Sequence, residues 1–131
     1  MGNIETANTM YRLFAEGNIE AIEDLFDKDL DWNMMEGFPG GGKYKGLHAV
    51  YKNVFGYFKE HWIDWKAVND RVVDIGDGVL VFGHYEGTYK ATEKYVHAPF
   101  ASEYSIRNGK IIAYNQYTDT VLVAKAMNLL F

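Results

Sequence analysis

The sequence predicts an α+β fold in which N-terminal helices are followed by an antiparallel sheet. Three observations carry this. Apolar residues recur at helical spacing up to about His61, long strand-like runs follow it, and those runs are separated by hairpin signals at Gly76-Asp77-Gly78 and Asn108-Gly109. Helices first and consecutive hairpins afterwards are the signature of an antiparallel sheet with its helices segregated to one face.

Each element follows in order. Ile4, Ala7, Tyr11 and Phe14 mark a first helix with Asn3 as its N-cap, and Gly17 stops it. Asn18 caps a second helix carrying Ile19, Ile22, Leu25 and Phe26. A short extended piece spans Leu30 to Met35, and the loop Gly37-Phe38-Pro39-Gly40-Gly41-Gly42 follows. Leu47, Val50, Val54 and Phe58, with Tyr51 and Phe55 beside them, give a third, amphipathic helix. Four strands then run from Trp62 to Ile75, Val79 to Tyr89, Tyr95 to Arg107 and Lys110 to Thr118, and a closing helix from Val121 to Leu130. Asn108-Gly109 is the strongest turn, because both residue types tolerate positive φ.

Composition limits what such a domain does. The 131 residues suit one domain, 1–131, with no linker or repeat. Aromatic residues make up 16%, including ten Tyr, eight Phe and three Trp, which is more ring surface than a small core needs and favours a ligand cavity or an interface. The net charge is −5 without a basic cluster, so nucleic acid is not expected as a partner. The absence of cysteine excludes disulfides and thiolate chemistry. No apolar run is long enough to span a bilayer and no secretory signal opens the chain, so a cytoplasmic location without membrane association is expected. The opening Met1-Gly2-Asn3-Ile4-Glu5-Thr6 fits the loose myristoylation pattern, which without a basic patch reads as chance.

Strand alternation then assigns faces. Leu80 and Phe82 outweigh Val81 and Gly83, which sends Phe82 and His84 inward and Tyr85 outward. Val96, Ala98, Phe100, Ser102, Tyr104 and Ile106 form the inward set of the next strand, and Ile112, Tyr114 and Gln116 that of the last. Trp32, Met34 and Glu36 share one face, and Ile63, Trp65 and Ala67 another. Pro99 is the expected place for a bulge, since proline cannot donate to a ladder. Polar Glu36, His84, Ser102 and Gln116 among so many rings suggest a hollow that holds ligand or water, because buried polar groups need partners.

The helix–Gly-Asn–helix opening, "DWNMMEGFPGGGKYKG", "VFGHYEGTYKAT" and "APFASEYSIRNGKIIAYNQYTDT" together resemble the SnoaL-like, ketosteroid-isomerase-like branch of the nuclear-transport-factor-2-like superfamily. The resemblance covers nearly the whole chain and implies a cone-shaped α+β fold with a deep pocket, and a homodimer. It also implies a range of activities, including isomerases, polyketide cyclases, epoxide hydrolases, dehydratases and many non-enzymes. Carried over residue by residue, the isomerase's helix-one tyrosine falls on Met10, its general-base aspartate on Met34 and its protonated aspartate on Ser102. Tyr11 is adjacent but turned about 100° around the helix. Ketosteroid isomerisation itself is therefore not expected.

Candidate chemistry rests on three groups. His84 has a pKa suited to proton transfer, and Glu36 sits before the glycine loop at the expected pocket mouth, where apolar surroundings would raise its pKa. Asp119 either assists catalysis or simply N-caps the closing helix. Trp32, Met34, Trp65, Phe82, Phe100, Ser102, Tyr104, Tyr114 and Gln116 are the expected substrate-binding residues. "GFPGGGKY" nearly matches a phosphate-cradling loop, but Tyr44 replaces the small hydroxyl residue and the helix starts late, so a lid is the better reading. His48, His61, His84 and His97 lack ligand spacing, and neither metal nor cofactor is expected. The leading expectation is proton-transfer chemistry on a small, largely apolar carbonyl- or ring-containing molecule. The alternatives are a non-catalytic binder and a dimeric interaction module using an outer sheet face around Tyr85, Ala101, Ala113 and Tyr117.

Overall fold

Helix α1 (Asn3–Glu16) starts one residue earlier than the capping signal suggests. Gly2 is its N-cap, and the Asn3 side chain instead donates to the Gly76 carbonyl at 3.1 Å, tying the helix to a hairpin turn. Gly17, at φ 69°, ends α1 in the left-handed region that glycine enters freely. Asn18 caps α2 (Ile19–Glu23), accepting a bond from the Ala21 N–H at 3.3 Å. The computed structural model describes residues 2–129.

The next elements are β1 (Phe26–Met34), β2 (Gly42–Lys45) and a continuous rod of α3 (Leu47–Val50), a π-helical turn (Tyr51–Phe55) and α4 (Gly56–His61). Strands β3 (Trp62–Asp74), β4 (Gly78–Tyr89), β5 (Tyr95–Arg107) and β6 (Lys110–Thr118) follow, then α5 (Thr120–Ala126). Leu130, placed by the sequence in the closing helix, lies outside the described residues. Phe26 opens β1 instead of closing α2, so this strand begins four residues before the expected Leu30. Part of the glycine segment is also strand, with β2 pairing antiparallel to β1 from Asp31↔Lys45 to Met34↔Gly42.

The six strands form one curved sheet in the order β2-β1-β6-β5-β4-β3. It is mixed, not purely antiparallel: β1 and β6 run parallel, joined by the long connection that parallel neighbours require. Asn108 and Gly109, at φ 53° and 74°, make the β5–β6 turn as the sequence predicts.

Inward alternation on β5 is as predicted, with Val96, Ala98, Phe100, Ser102, Tyr104 and Ile106 all buried. Pro99 interrupts nothing, since the β4–β5 register runs unbroken through His84↔Pro99. The bulges lie elsewhere. One between Ser105 and Ile106 pairs Ile106 with Ile111 and puts Ile111, not Ile112, in the core. Two more interrupt β3, and the first, with Asp64 at φ 52°, leaves Ile63 and Ala67 exposed while Trp65 stays partly buried.

Strand β4 has the opposite parity to the prediction. Val79, Val81 and Tyr85 are buried, whereas Phe82 is 38% exposed and His84 faces outward with it. The physical reason is glycine. A Cβ on Gly83 would meet the Phe100 ring at 2.7 Å and the Val68 carbonyl oxygen at 1.9 Å, and one on Gly87 would meet Trp65 at 2.9 Å. Rings from neighbouring strands fill the inner face that β4 leaves bare, so counting bulk along β4 alone selects the wrong side.

Candidate functional site

Between α1, the α3–α4 rod and the inner face of the sheet lies a cavity of about 820 Å³. This is within the usual size of a small-molecule site. Its buried lining includes Tyr11, Trp32, Met34, Phe38, Val54, Phe58, Trp62, Tyr85, Tyr104 and Tyr114. Exposed Asn8, Arg12, Lys59, Asp64, Lys66 and Ala67 line it as well and form the mouth, between α1, α4 and β3.

The walls are stacked rings. Trp65 lies between Phe58 and Tyr85, with centroids 4.2 and 5.2 Å away and planes within about 21°. Trp32 stacks on Tyr114 at 3.9 Å. Phe38 inserts from the glycine-rich segment against Tyr85 and Phe58, at 5.3 and 5.6 Å. That segment therefore supplies wall through Phe38; a Cβ on Gly41 would strike the Met35 carbonyl oxygen at 2.0 Å, so the close turn that seats Phe38 needs glycine.

At the inner end four phenols converge. Tyr11 and Tyr104 are hydrogen-bonded through their hydroxyls at 2.9 Å, and Tyr85 and Tyr114 at 3.3 Å. Ser102 donates to the Tyr114 oxygen at 3.4 Å, and the Gln116 amide donates to Tyr85 at 2.9 Å while accepting from the Met35 N–H at 3.2 Å. Burial pushes the pKa of all four phenols up, for Tyr104 and Tyr114 well above the ordinary value of 10. They are neutral hydrogen-bonding groups in neutral solution. The Trp32 indole N–H is buried in the same lining and has no hydrogen-bond partner, and neither does the buried N–H of Trp62, which also lines the cavity.

Of the residues singled out in the sequence, Trp32, Met34, Trp65, Tyr104 and Tyr114 line the cavity. Phe100, Ser102 and Gln116 are buried just behind it, Ser102 and Gln116 as supports of the phenols. The three proposed catalytic groups do not come together. Glu36 is exposed in a turn beyond β1, away from the mouth. Asp119 is an N-cap, accepting from the Val121 and Leu122 N–H groups at 3.1 and 3.2 Å. His84 lies on the outer sheet face, held by Asp70 and Glu86 at 2.8 Å each and stacked on His97 at 4.3 Å. Its pKa is raised, chiefly by the Asp70 hydrogen bond and further by Glu86, against a lowering from desolvation.

Sequence reasoning missed Tyr11, Tyr85, Phe38 and the charged mouth. Tyr11 was read only as part of the apolar stripe of α1, turned about 100° from the position of the isomerase's tyrosine, yet its hydroxyl reaches Tyr104. Tyr85 was assigned to the outer face, opposite Phe82 and His84. Gly83 and Gly87, flanking Tyr85 at alternate positions, were the available signal, because glycine within a strand marks a close approach. No group of three or more His, Asp or Glu among the described residues is arranged to hold a metal, and no described helix is long and apolar enough to cross a membrane.

A mixed sheet closed by helices around a ring-lined hollow defines an α+β pocket protein of the nuclear-transport-factor-2-like architecture. The match to the SnoaL-like domain model over residues 7–114 makes the assignment specific: the chain belongs to that family. It is similar to an NTF2-like protein from Burkholderia thailandensis E264, at 31% identity over 97% of this chain and 98% of that one, with a TM-score of 0.92. More distant structures share the fold. One is TerC co-crystallised with polyporic acid, 23% identical over 96% and 98% of the two chains, with a TM-score of 0.86. Another is a protein of ketosteroid isomerase-like fold from Catenulispora acidiphila in complex with trimethylamine, 16% identical over 97% and 95%, with a TM-score of 0.81. Comparison with curated proteins finds no match.

Proposed function

We propose that this SnoaL-like protein takes a flat, largely apolar, oxygen-bearing small molecule into the cavity and hydrogen-bonds its oxygen at the phenol cluster. The convergence of Tyr11, Tyr85, Tyr104 and Tyr114 at the inner end of a ring-lined hollow is the observation that carries this reading. Stacked walls suit planar rings, and neutral phenols donate to a carbonyl or hydroxyl without the desolvation cost of a buried charge. Relatives of the same fold hold polyporic acid and trimethylamine, which agrees with small-molecule occupancy of such a fold.

Titration with 2-naphthol, followed by its fluorescence, tests the proposal. Tyr104→Phe and Tyr114→Phe each remove one hydroxyl, and each is expected to weaken binding about three- to tenfold, the worth of one buried hydrogen bond. Affinity unchanged in both variants contradicts the assignment.

Proton-transfer catalysis is the second reading, and Asp64 favours it as the carboxylate in the cavity lining. The β3 bulge beside it re-aims the strand at the mouth, a place where bulges often serve sites. Asp64 would remove an α-proton from a ketone held at the mouth, and the cations Arg12 and Lys59 in the same part of the lining would stabilise the enolate left. His84 and Glu36 have no part in this scheme, since neither lines the cavity. With 2-tetralone in D₂O, NMR is expected to show α-proton exchange above the buffer rate, at least tenfold slower in Asp64→Asn. Exchange at the buffer rate with wild-type protein leaves a binding protein without this catalysis.

A further inference from the structure

The mouth of the cavity carries a charge pattern opposite to that of the chain. The protein is acidic overall, with 18 Asp and Glu against 13 Lys and Arg. Yet the cavity lining contains Arg12, Lys59 and Lys66, from three different elements, against the single acid Asp64. All four are exposed.

Two of these cations, Arg12 and Lys59, are not locked into other work. Arg12 pairs with Glu16 at 3.2 Å, a surface i,i+4 pair with both side chains at least half exposed, which is weak and easily exchanged. Lys66 is turned from the mouth: it lies opposite Glu86 in the β3–β4 register, on the outer face with His84, and its ammonium stands 4.0 Å from that carboxylate. Lys59 has no ion-pair partner among the described residues. At the opposite end, the unmet Trp32 N–H and the phenols offer neutral donors. The site is therefore amphiphilic along its depth, with neutral donors inside, rings along the walls and cations at the opening.

We infer that the ligand is an aromatic carboxylate, with its ring system and a distal hydroxyl or carbonyl oxygen buried and its carboxylate left at the mouth between Arg12 and Lys59. This rests on the reading of the cavity given above. The wet mouth suits the charge, because a carboxylate there keeps most of its hydration while gaining attraction from two cations, whereas the interior provides no cation to pair with one.

The probes are 6-hydroxy-2-naphthoate and its neutral counterpart 6-hydroxymethyl-2-naphthol, compared by isothermal titration calorimetry. The naphthoate is expected to bind about tenfold more tightly at low ionic strength, the sum of a few exposed attractions. That preference is expected to fall toward unity in 1 M salt, where screening acts within about 3 Å, and in the Arg12→Gln/Lys59→Gln variant. If the alcohol binds as well as the naphthoate, or the preference survives both salt and the double substitution, the role of the mouth is overturned and the cavity reading stands. If neither compound binds, the cavity reading itself fails.

Discussion

A phenol enclosed by rings has a different task from one at a surface. Tyr104 and Tyr114 are held protonated by burial, and each bonds another hydroxyl, so the cluster supplies oriented neutral dipoles and no free charge. His84 shows the converse. It was legible in the sequence as a titratable residue, but its side was not, because the Gly83 and Gly87 vacancies are filled by Phe100 and Trp65 from other strands. On the outer face its raised pKa becomes a stability effect. The imidazolium's bonds to Asp70 and Glu86 stabilise the fold fully below the ordinary value of 6.5, and this contribution is lost as pH rises through the raised folded value. Glu86 acts with the opposite sign: its pKa is lowered, first by His84, and its contribution fades only as pH falls through that lowered value. The melting temperature of His84→Gln should therefore trail that of the wild type most near pH 6, and the gap should narrow toward pH 9. A gap independent of pH would rule out the charged pair.

At the level of elements, the hairpins and the inward face of β5 were plain from period-two alternation and from Asn108-Gly109, since local chemistry sets both. Strands β1 and β2 were less legible. Leu25 and Phe26 satisfy a helical period as well as a strand, and only pairing with β6, 85 residues onward at Ile111, decides between them. Short β2 owes its form to β1 alone. Asp119 was readable both as catalyst and as cap, and its two backbone bonds make it the cap of α5. Asp119→Ala should accordingly cost about 1 kcal/mol of stability, measured by urea unfolding, and leave 2-naphthol affinity unaltered. A stable variant that no longer binds would place Asp119 in the site instead.

For the molecule as a whole, the aromatic excess is the feature that links sequence to function. Rings that exceed the needs of a core are distributed around a hollow, and the helices close over it without filling it. The sequence carried the fold because its alternation, turns and capping agree with one another; it carried the inner end of the site through Trp32, Met34, Tyr104 and Tyr114. The charged mouth was hidden, because Arg12, Lys59 and Asp64 look like ordinary surface residues until α1, α4 and β3 bring them together. The crystal structure of the protein soaked with 2-naphthol measures the central claim most directly. The account predicts the naphthol ring between the walls of Trp32, Phe58 and Trp65, with its oxygen within hydrogen-bonding distance of the Tyr104–Tyr114 cluster. Naphthol bound only on the outer sheet face near Phe82 and Tyr117, with side chains closing the hollow, would contradict it.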